Sequence, residues 1–148
     1  MEFLNSREVK NITAHIECQW GSTLSKDWAL LQRKDGRISI VNRSIDRLDL
    51  PTLPIMSLGL YIGEWKNDEL RLSIEGTQLL GPSATKNVVK ISPDQLREWL
   101  QGEDISFEGE EKGFVILKSG KDFVGCGKVV ENKILNFVPK IRRLSVVA

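Results

Sequence analysis

Between Lys118 and Arg143 the chain carries seven bases (Lys118, Lys121, Lys128, Lys133, Lys140, Arg142, Arg143) against two acids, Asp122 and Glu131. That is a local balance of +5 on a chain whose net charge is +1. Gathered Lys and Arg do one kind of chemistry well. They neutralise phosphates and release the counterions around a polyanion, which is the electrostatic footprint of a nucleic-acid contact. Asn136 adds a side chain with both a donor and an acceptor for a base edge. Gly125 and Gly127 flank Cys126 and admit two readings. They give either a bare backbone that a phosphate or base can approach, or a bulge that bends the strand. Tyr61, Phe123 and Phe137 would stack on bases if exposed and would serve the core if not. The plain alternative for the bases is a solvated strand end.

Other chemistries find little support. Cys18 and Cys126 are isolated and have no CxxC spacing, which reads as two free, packed thiols. A zinc site needs about four suitable ligands, and the chain has one histidine, His15, on a predicted helix. No sequence motif pairs Cys126 or His15 with a partner for nucleophilic or acid–base work. No catalytic residue, metal or cofactor is therefore expected. The acids Glu103, Asp104, Glu108, Glu110 and Glu111 read as a solvated loop turned away from nucleic acid, a protein-facing patch, or a divalent-ion site. The N-terminus has no basic start followed by an apolar stretch, and no apolar run nears eighteen residues. A cytoplasmic protein with no membrane contact is the expectation.

The elements that must position these groups are legible in outline. Val9, Ile12, Ile16 and Trp20 recur on one face of a helix over 5–20, with Asn5 or Ser6 to start it and Gly21 to end it. Trp28–Arg33 and Arg37–Asn42 predict strands joined by a tight Asp35-Gly36 hairpin. Arg33, Lys34 and Arg37 form a small basic group at its tip. A helical turn is predicted over 44–48, and Pro51 and Pro54 mark a boundary near residue 53. Beyond it come strands over 58–62, 70–74 and 87–91, a turn at Lys66-Asn67-Asp68 and a helical bend over 76–81. Ser92-Pro93-Asp94-Gln95 is a capping-box helix start, with Leu96, Trp99 and Leu100 facing inward. Strands over 113–118, 123–130 and 133–138 close the chain. The prediction is an α+β chain: a small N-terminal α/β unit over 1–53, then a partly closed β pseudo-barrel over 54–148.

The motifs LPIMSLGLYIGEW, SPDQLREWLQGEDI and GFVILKSGKDFVGCGKVVENKILNFVPKIRRL occur in that order over about 54–144. Together they resemble the PUA-like domain at the C-terminus of RNA cytosine-5 methyltransferases of the Fmu/Sun/RsmF type. The likeness rests on a leucine-rich strand ending in Gly-Glu, a helix closing on a Gly-acid pair, a Gly-x-Gly-Lys-Val strand, and an Asn-aromatic-x-Pro-Lys segment leading to Arg-Arg. The glycine-rich cofactor loop and Pro-Cys nucleophile motif of those enzymes are not found in this sequence. The resemblance implies a PUA-like pseudo-barrel acting as a stand-alone RNA-binding appendage, without the methyltransferase part.

It further implies contact with structured RNA, tRNA or rRNA, in RNA modification or ribosome biogenesis. Lys118, Lys121, Lys128, Asn136, Lys140, Arg142 and Arg143 would be the contacts, beside Gly125 and Gly127. The competing role is a protein-interaction module that docks on an RNA methyltransferase or a ribosome assembly factor. Four tryptophans and near-neutral net charge suit that role too. An enzyme acting on a small nucleotide-like ligand is the least supported, for want of a catalytic group.

Overall fold

A computed structural model describes residues 2–42 and 59–144. The first helix, α1 (Ser6–Trp20), follows a short strand, β1 (Glu2–Phe3), that the sequence did not reveal. Asn5 caps α1 in a reciprocal box with Glu8, and Gly21 closes it at φ 64 while its N–H donates to Glu17 O. The apolar stripe is buried as its spacing predicts, with Ile12, Ile16 and Trp20 essentially inaccessible.

Strands β2 (Trp28–Gln32) and β3 (Arg37–Asn42) form the expected hairpin, but its turn is wider than Asp-Gly suggests. Only Gly36 takes positive φ, at 92°, and Gly36 N–H donates to Arg33 O. The two-residue turn with both residues at positive φ occurs instead at Asn67 (54°) and Asp68 (58°). It joins β4 (Leu60–Lys66) to β5 (Glu69–Leu72). The helical turn predicted over 44–48 lies outside the described residues, as does the boundary near residue 53. On either side of that boundary, β3 and β4 are hydrogen-bonded neighbours. Strand β4 runs through Gly63 rather than ending there. The missing side chain lets the chain close on β5, where a Cβ would stand 2.5 Å from Arg71 O.

The strand expected over 70–74 stops at Leu72. Ser73 turns the chain by accepting a hydrogen bond from Gly76 N–H, and so starts α2 (Ile74–Leu80), with a 3-10 turn at Gly81–Ser83. Ile74 kept the two-residue alternation alive, which hid the cap. Then follow β6 (Val88–Lys90), α3 (Pro93–Leu100), β7 (Ile105–Ser106), β8 (Phe114–Ser119), β9 (Asp122–Val130) and β10 (Lys133–Leu135). A final 3-10 turn spans Lys140–Arg142. The α3 capping box forms as its four residues predict. The inward side of α3 narrows to Trp99, its one fully buried residue, with Leu96 packed alongside.

The α+β class is correct, and the barrel is replaced by two five-stranded sheets, neither closed among the described residues. The first is antiparallel, in the order β1-β2-β3-β4-β5; the second runs β6-β8-β9-β10-β7, with β6 parallel to β8. The first part of strand β8 is buried on both faces through Val115, Ile116 and Leu117, so it reads as an apolar run up to Lys118. Ile116, with its partner Cys126, joins α1 and the first sheet in the larger core. Val115 and Leu117 point the other way, with Val89, Trp99, Ile105 and Ile134, into a second core beneath α3.

His15 sits at the seam of α1 and β5. Its Nε2 accepts Leu70 N–H at 3.2 Å, and its ring meets the edges of Trp20 and Trp65, each at 5.6 Å. Burial lowers its pKa below 6.5, opposed in part by Glu69. A lowered folded-state pKa means that the unfolded chain takes up the proton first. His15 therefore stabilises the fold above pH 6.5, and that contribution is lost as pH falls through the folded pKa. The urea midpoint should drop between about pH 7.5 and pH 5.5, and His15→Gln should flatten that part of the drop. An unchanged pH profile in the variant would refute the assignment.

Candidate nucleic-acid interface

The two glycines of β9 do not form an open ledge. Gly125 and Gly127 are buried, and the indole of Trp99 lies on them. A Cβ on Gly125 would stand 2.9 Å from Trp99 Nε1; one on Gly127 would meet Ile134 Cγ2 at 2.3 Å and Trp99 Cη2 at 2.9 Å. Polyanions cannot reach backbone covered this way, so the approach-to-backbone reading is corrected. The bulge reading holds: the β8–β9 register shifts between Leu117 and Lys118, leaving Val124 unpaired, and Gly125 takes φ 153.

Asn136 is likewise committed to the fold. Its Nδ2 donates to Trp99 O (2.8 Å) and Glu103 O (2.9 Å), and its Oδ1 accepts Val138 N–H at 2.7 Å. Both amide protons close the end of α3, and none is left to read a base. Arg143 donates from Nε to Val138 O at 2.9 Å and lies over Gly102, which is at φ 92 and has no side chain to obstruct it. Lys133 pairs with Asp104 at 3.9 Å, and Lys128 with Glu69 at 3.9 Å. Lys140 is exposed on the last 3-10 turn.

What the fold does assemble is a furrow whose basic residues come from distant parts of the chain. Lys90 on β6 is the cross-strand partner of Lys118 on β8, and Lys118 is the partner of Phe123 on β9. Partners on neighbouring strands share a face. The three side chains therefore form one row, with Lys118 Nζ 5.2 Å from the centre of the Phe123 ring. Phe123 is held by Gly81, which approaches the ring so closely that a Cβ would overlap it. Lys86 joins Lys90, Lys118 and Phe123 around an open depression of about 530 Å³, with Glu110 and Glu111 also on its lining. The acidic loop thus borders this surface instead of facing away from it. Phe123 also lines the next hollow, with Lys121, Ile74 and Arg142. Among the described residues, Lys86, Lys90, Lys118 and Lys121 have no ion-pair partner.

Ile74, Val138 and Arg142 carry the furrow on to a cavity of about 250 Å³. Arg142 bonds Glu75 there at 2.5 Å, and Arg71 bonds Glu64 at 2.7 Å. The Arg71 guanidinium lies 4.8 Å from the centre of the Phe137 ring, which meets Phe114 at 6.1 Å, and Lys128 Nζ is 5.3 Å from Phe114. Lys128 therefore ends a row that starts at the cavity. The indole Nε1 of Trp99 is the one buried side-chain polar atom among the described residues without a hydrogen-bond partner. A buried donor left unpaired costs about 1–3 kcal/mol.

Of the residues expected from sequence, Lys118, Lys121 and Arg142 line the furrow and Gly125 lines the cavity. Lys86, Lys90 and Arg71 were missed. Lys90 follows buried Val89 and looks like an ordinary outward strand residue; only the parallel pairing of β6 with β8 sets it beside Lys118. Cys126 has no nucleophilic character, since full burial pushes its thiol up to about 12. Among the described residues no cluster of His, Cys, Asp and Glu could hold a metal, and no helix is long and apolar enough to cross a membrane.

The capped helix α3 lies on a glycine-bearing strand, with a mixed sheet beneath. The chain carries a PUA domain. Residues 86–144 match the family model of the methyltransferase RsmF PUA domain. The chain is similar to the ribosomal RNA small subunit methyltransferase F of Vibrio cholerae serotype O1 (strain M66-2), at 30% identity over 135 residues. That alignment covers 90% of this chain and 28% of that protein. The protein of the same name from Vibrio vulnificus (strain YJ016) is 33% identical over 91 residues, 62% of this chain and 19% of that protein. The alignments thus cover 28% and 19% of the length of these curated relatives.

Proposed function

We propose that this chain binds structured RNA, ribosomal RNA of the small subunit first among candidates, and serves rRNA modification. The reading assigns it RNA contact and leaves methyl transfer to a catalytic unit outside these residues. An RNA methyltransferase or a ribosome assembly factor is the natural partner. The observation that carries the proposal is the furrow: four lysines without ion-pair partners among the described residues, grouped about Phe123, with Lys90 and Lys118 at a spacing set by hydrogen-bonded strands. Such lysines have no carboxylate to leave before they meet a phosphate, and a nearby ring offers a base something to stack on. The relatives' name, a small-subunit rRNA methyltransferase, supports the choice of RNA.

The test is a fluorescence polarisation titration with small-subunit rRNA fragments and tRNA, across about 50–200 mM salt. Four phosphate contacts should give a log–log slope of about −3 to −4, from about 0.7–0.9 per contact. The proposal fails if no RNA binds at the lowest salt, or if binding ignores salt.

A further inference from the structure

We infer that the cavity beneath Arg142 receives a single unstacked base from an RNA strand whose phosphates follow the lysine furrow. The inference rests on the RNA-binding reading above and adds a specific occupant to it. At about 250 Å³ the cavity has room for one base and little more of a nucleotide. Its two guanidiniums, Arg71 and Arg142, already hold Glu64 and Glu75. A phosphate seated inside would meet cations that are already neutralised, beside a carboxylate that repels it. A neutral planar ring suits the walls better, because Phe137, Ile74 and Val138 supply apolar surface.

The wall also holds the unsatisfied donor. Trp99 and Gly125 both line the cavity, and the position of a Cβ on Gly125 lies 2.9 Å from Trp99 Nε1. No side chain stands between that nitrogen and the strand beside it. The N–H is inaccessible beside Gly125, so an acceptor reaches it only when the wall moves there on binding. Base carbonyls and ring nitrogens are such acceptors. Continuity decides between RNA and a free small molecule. The cavity mouth shares Ile74, Val138 and Arg142 with the furrow, so a strand lying along the lysines passes directly over it.

The test follows the four tryptophan indole N–H signals of the ¹⁵N-labelled chain by NMR, with the Trp99 signal assigned from its loss in Trp99→Phe. The probes are a short single-stranded RNA and the same strand with abasic ribose at every position. We expect both probes to shift the backbone signals of Lys90, Lys118 and Lys121, and only the base-bearing strand to shift the Trp99 indole. Trp99→Phe keeps a ring in place and should cost about fivefold to tenfold in affinity for the base-bearing strand, with the abasic strand unaffected. If the furrow signals move and the indole does not, the base site is overturned and RNA binding stands. If neither moves at low salt, both readings fall. If the variant folds poorly, the Trp99 indole is assigned in the wild-type chain from its nuclear Overhauser contacts to Gly125, and the wild-type titration decides the matter.

Discussion

Charge reversal at two furrow lysines, Lys90→Glu with Lys118→Glu, will weaken RNA binding by about a hundredfold at low salt and reduce the salt slope by about two. Each lysine removed takes away one released counterion, and each glutamate adds a repulsion next to the strand. The fold should tolerate the change, because Lys90 is exposed and Lys118 is half-buried with no ion pair to break. Surface substitutions of this kind stay within about 0.5 kcal/mol. The informative control is Lys133→Glu. It lies in the same run of bases as Lys118 but sits on β10, two strands from β8 in the order β6-β8-β9-β10-β7, and pairs with Asp104. If the contact is the furrow, Lys133→Glu leaves affinity within about twofold. If the contact is merely the basic tail of the sequence, the two variants lose similar affinity and the furrow is wrong. Glu110→Gln with Glu111→Gln gives the opposite sign: removing two acids from the furrow's lining should tighten binding.

That contrast also separates what could be read from the chain and what could not. Capping signals were dependable. Asn5 and Ser92 announced their helices because a cap is a contact between residues three apart, and such contacts are written in consecutive letters. The same holds for the bulge that the glycines of β9 mark. Partnership at a distance was not legible. Nothing near Lys90 signals that it will lie parallel to Lys118, since a parallel pairing depends on the crossover between the strands and on no local turn. The bases of the C-terminal stretch looked like one cluster because they are neighbours in sequence. The fold distributes them among a furrow, three ion pairs, an exposed turn and a helix-end lock. Asn136 shows why polar residues mislead most. The amide that could read a base is the same group that can tie down the last carbonyls of α3, and only coordinates tell which it does.

Gly127→Ala should destabilise the fold by about 1–3 kcal/mol, and Gly127→Val by more, through overpacking alone. Gly127 is not among the positive-φ glycines, so the backbone imposes no penalty on a side chain there. The obstacle is space. The new methyl would stand 2.3 Å from Ile134 Cγ2, 2.8 Å from Leu135 O and 2.9 Å from Trp99 Cη2. One of these is a backbone oxygen in the ladder to β10, and another belongs to the largest side chain of the second core. Neither can swing aside as the tip of a flexible chain could. The indole must lift off β9, and α3 with it. A shift of about 2–4 °C in melting temperature per kcal/mol is expected for a domain of this size. Gly120→Ala supplies the comparison. It sits at φ 60 with nothing within 4 Å of its would-be Cβ, so it bears only the conformational cost of about 1 kcal/mol. The two causes separate by size: at position 127, valine should cost clearly more than alanine, whereas at position 120 the step from alanine to serine should cost little. Affinity for the abasic strand, which follows the lysines alone, should be nearly unchanged in Gly127→Ala when measured well below the melting temperature. A variant of undiminished stability that no longer binds RNA would return Gly127 to the interface and take Trp99 off it.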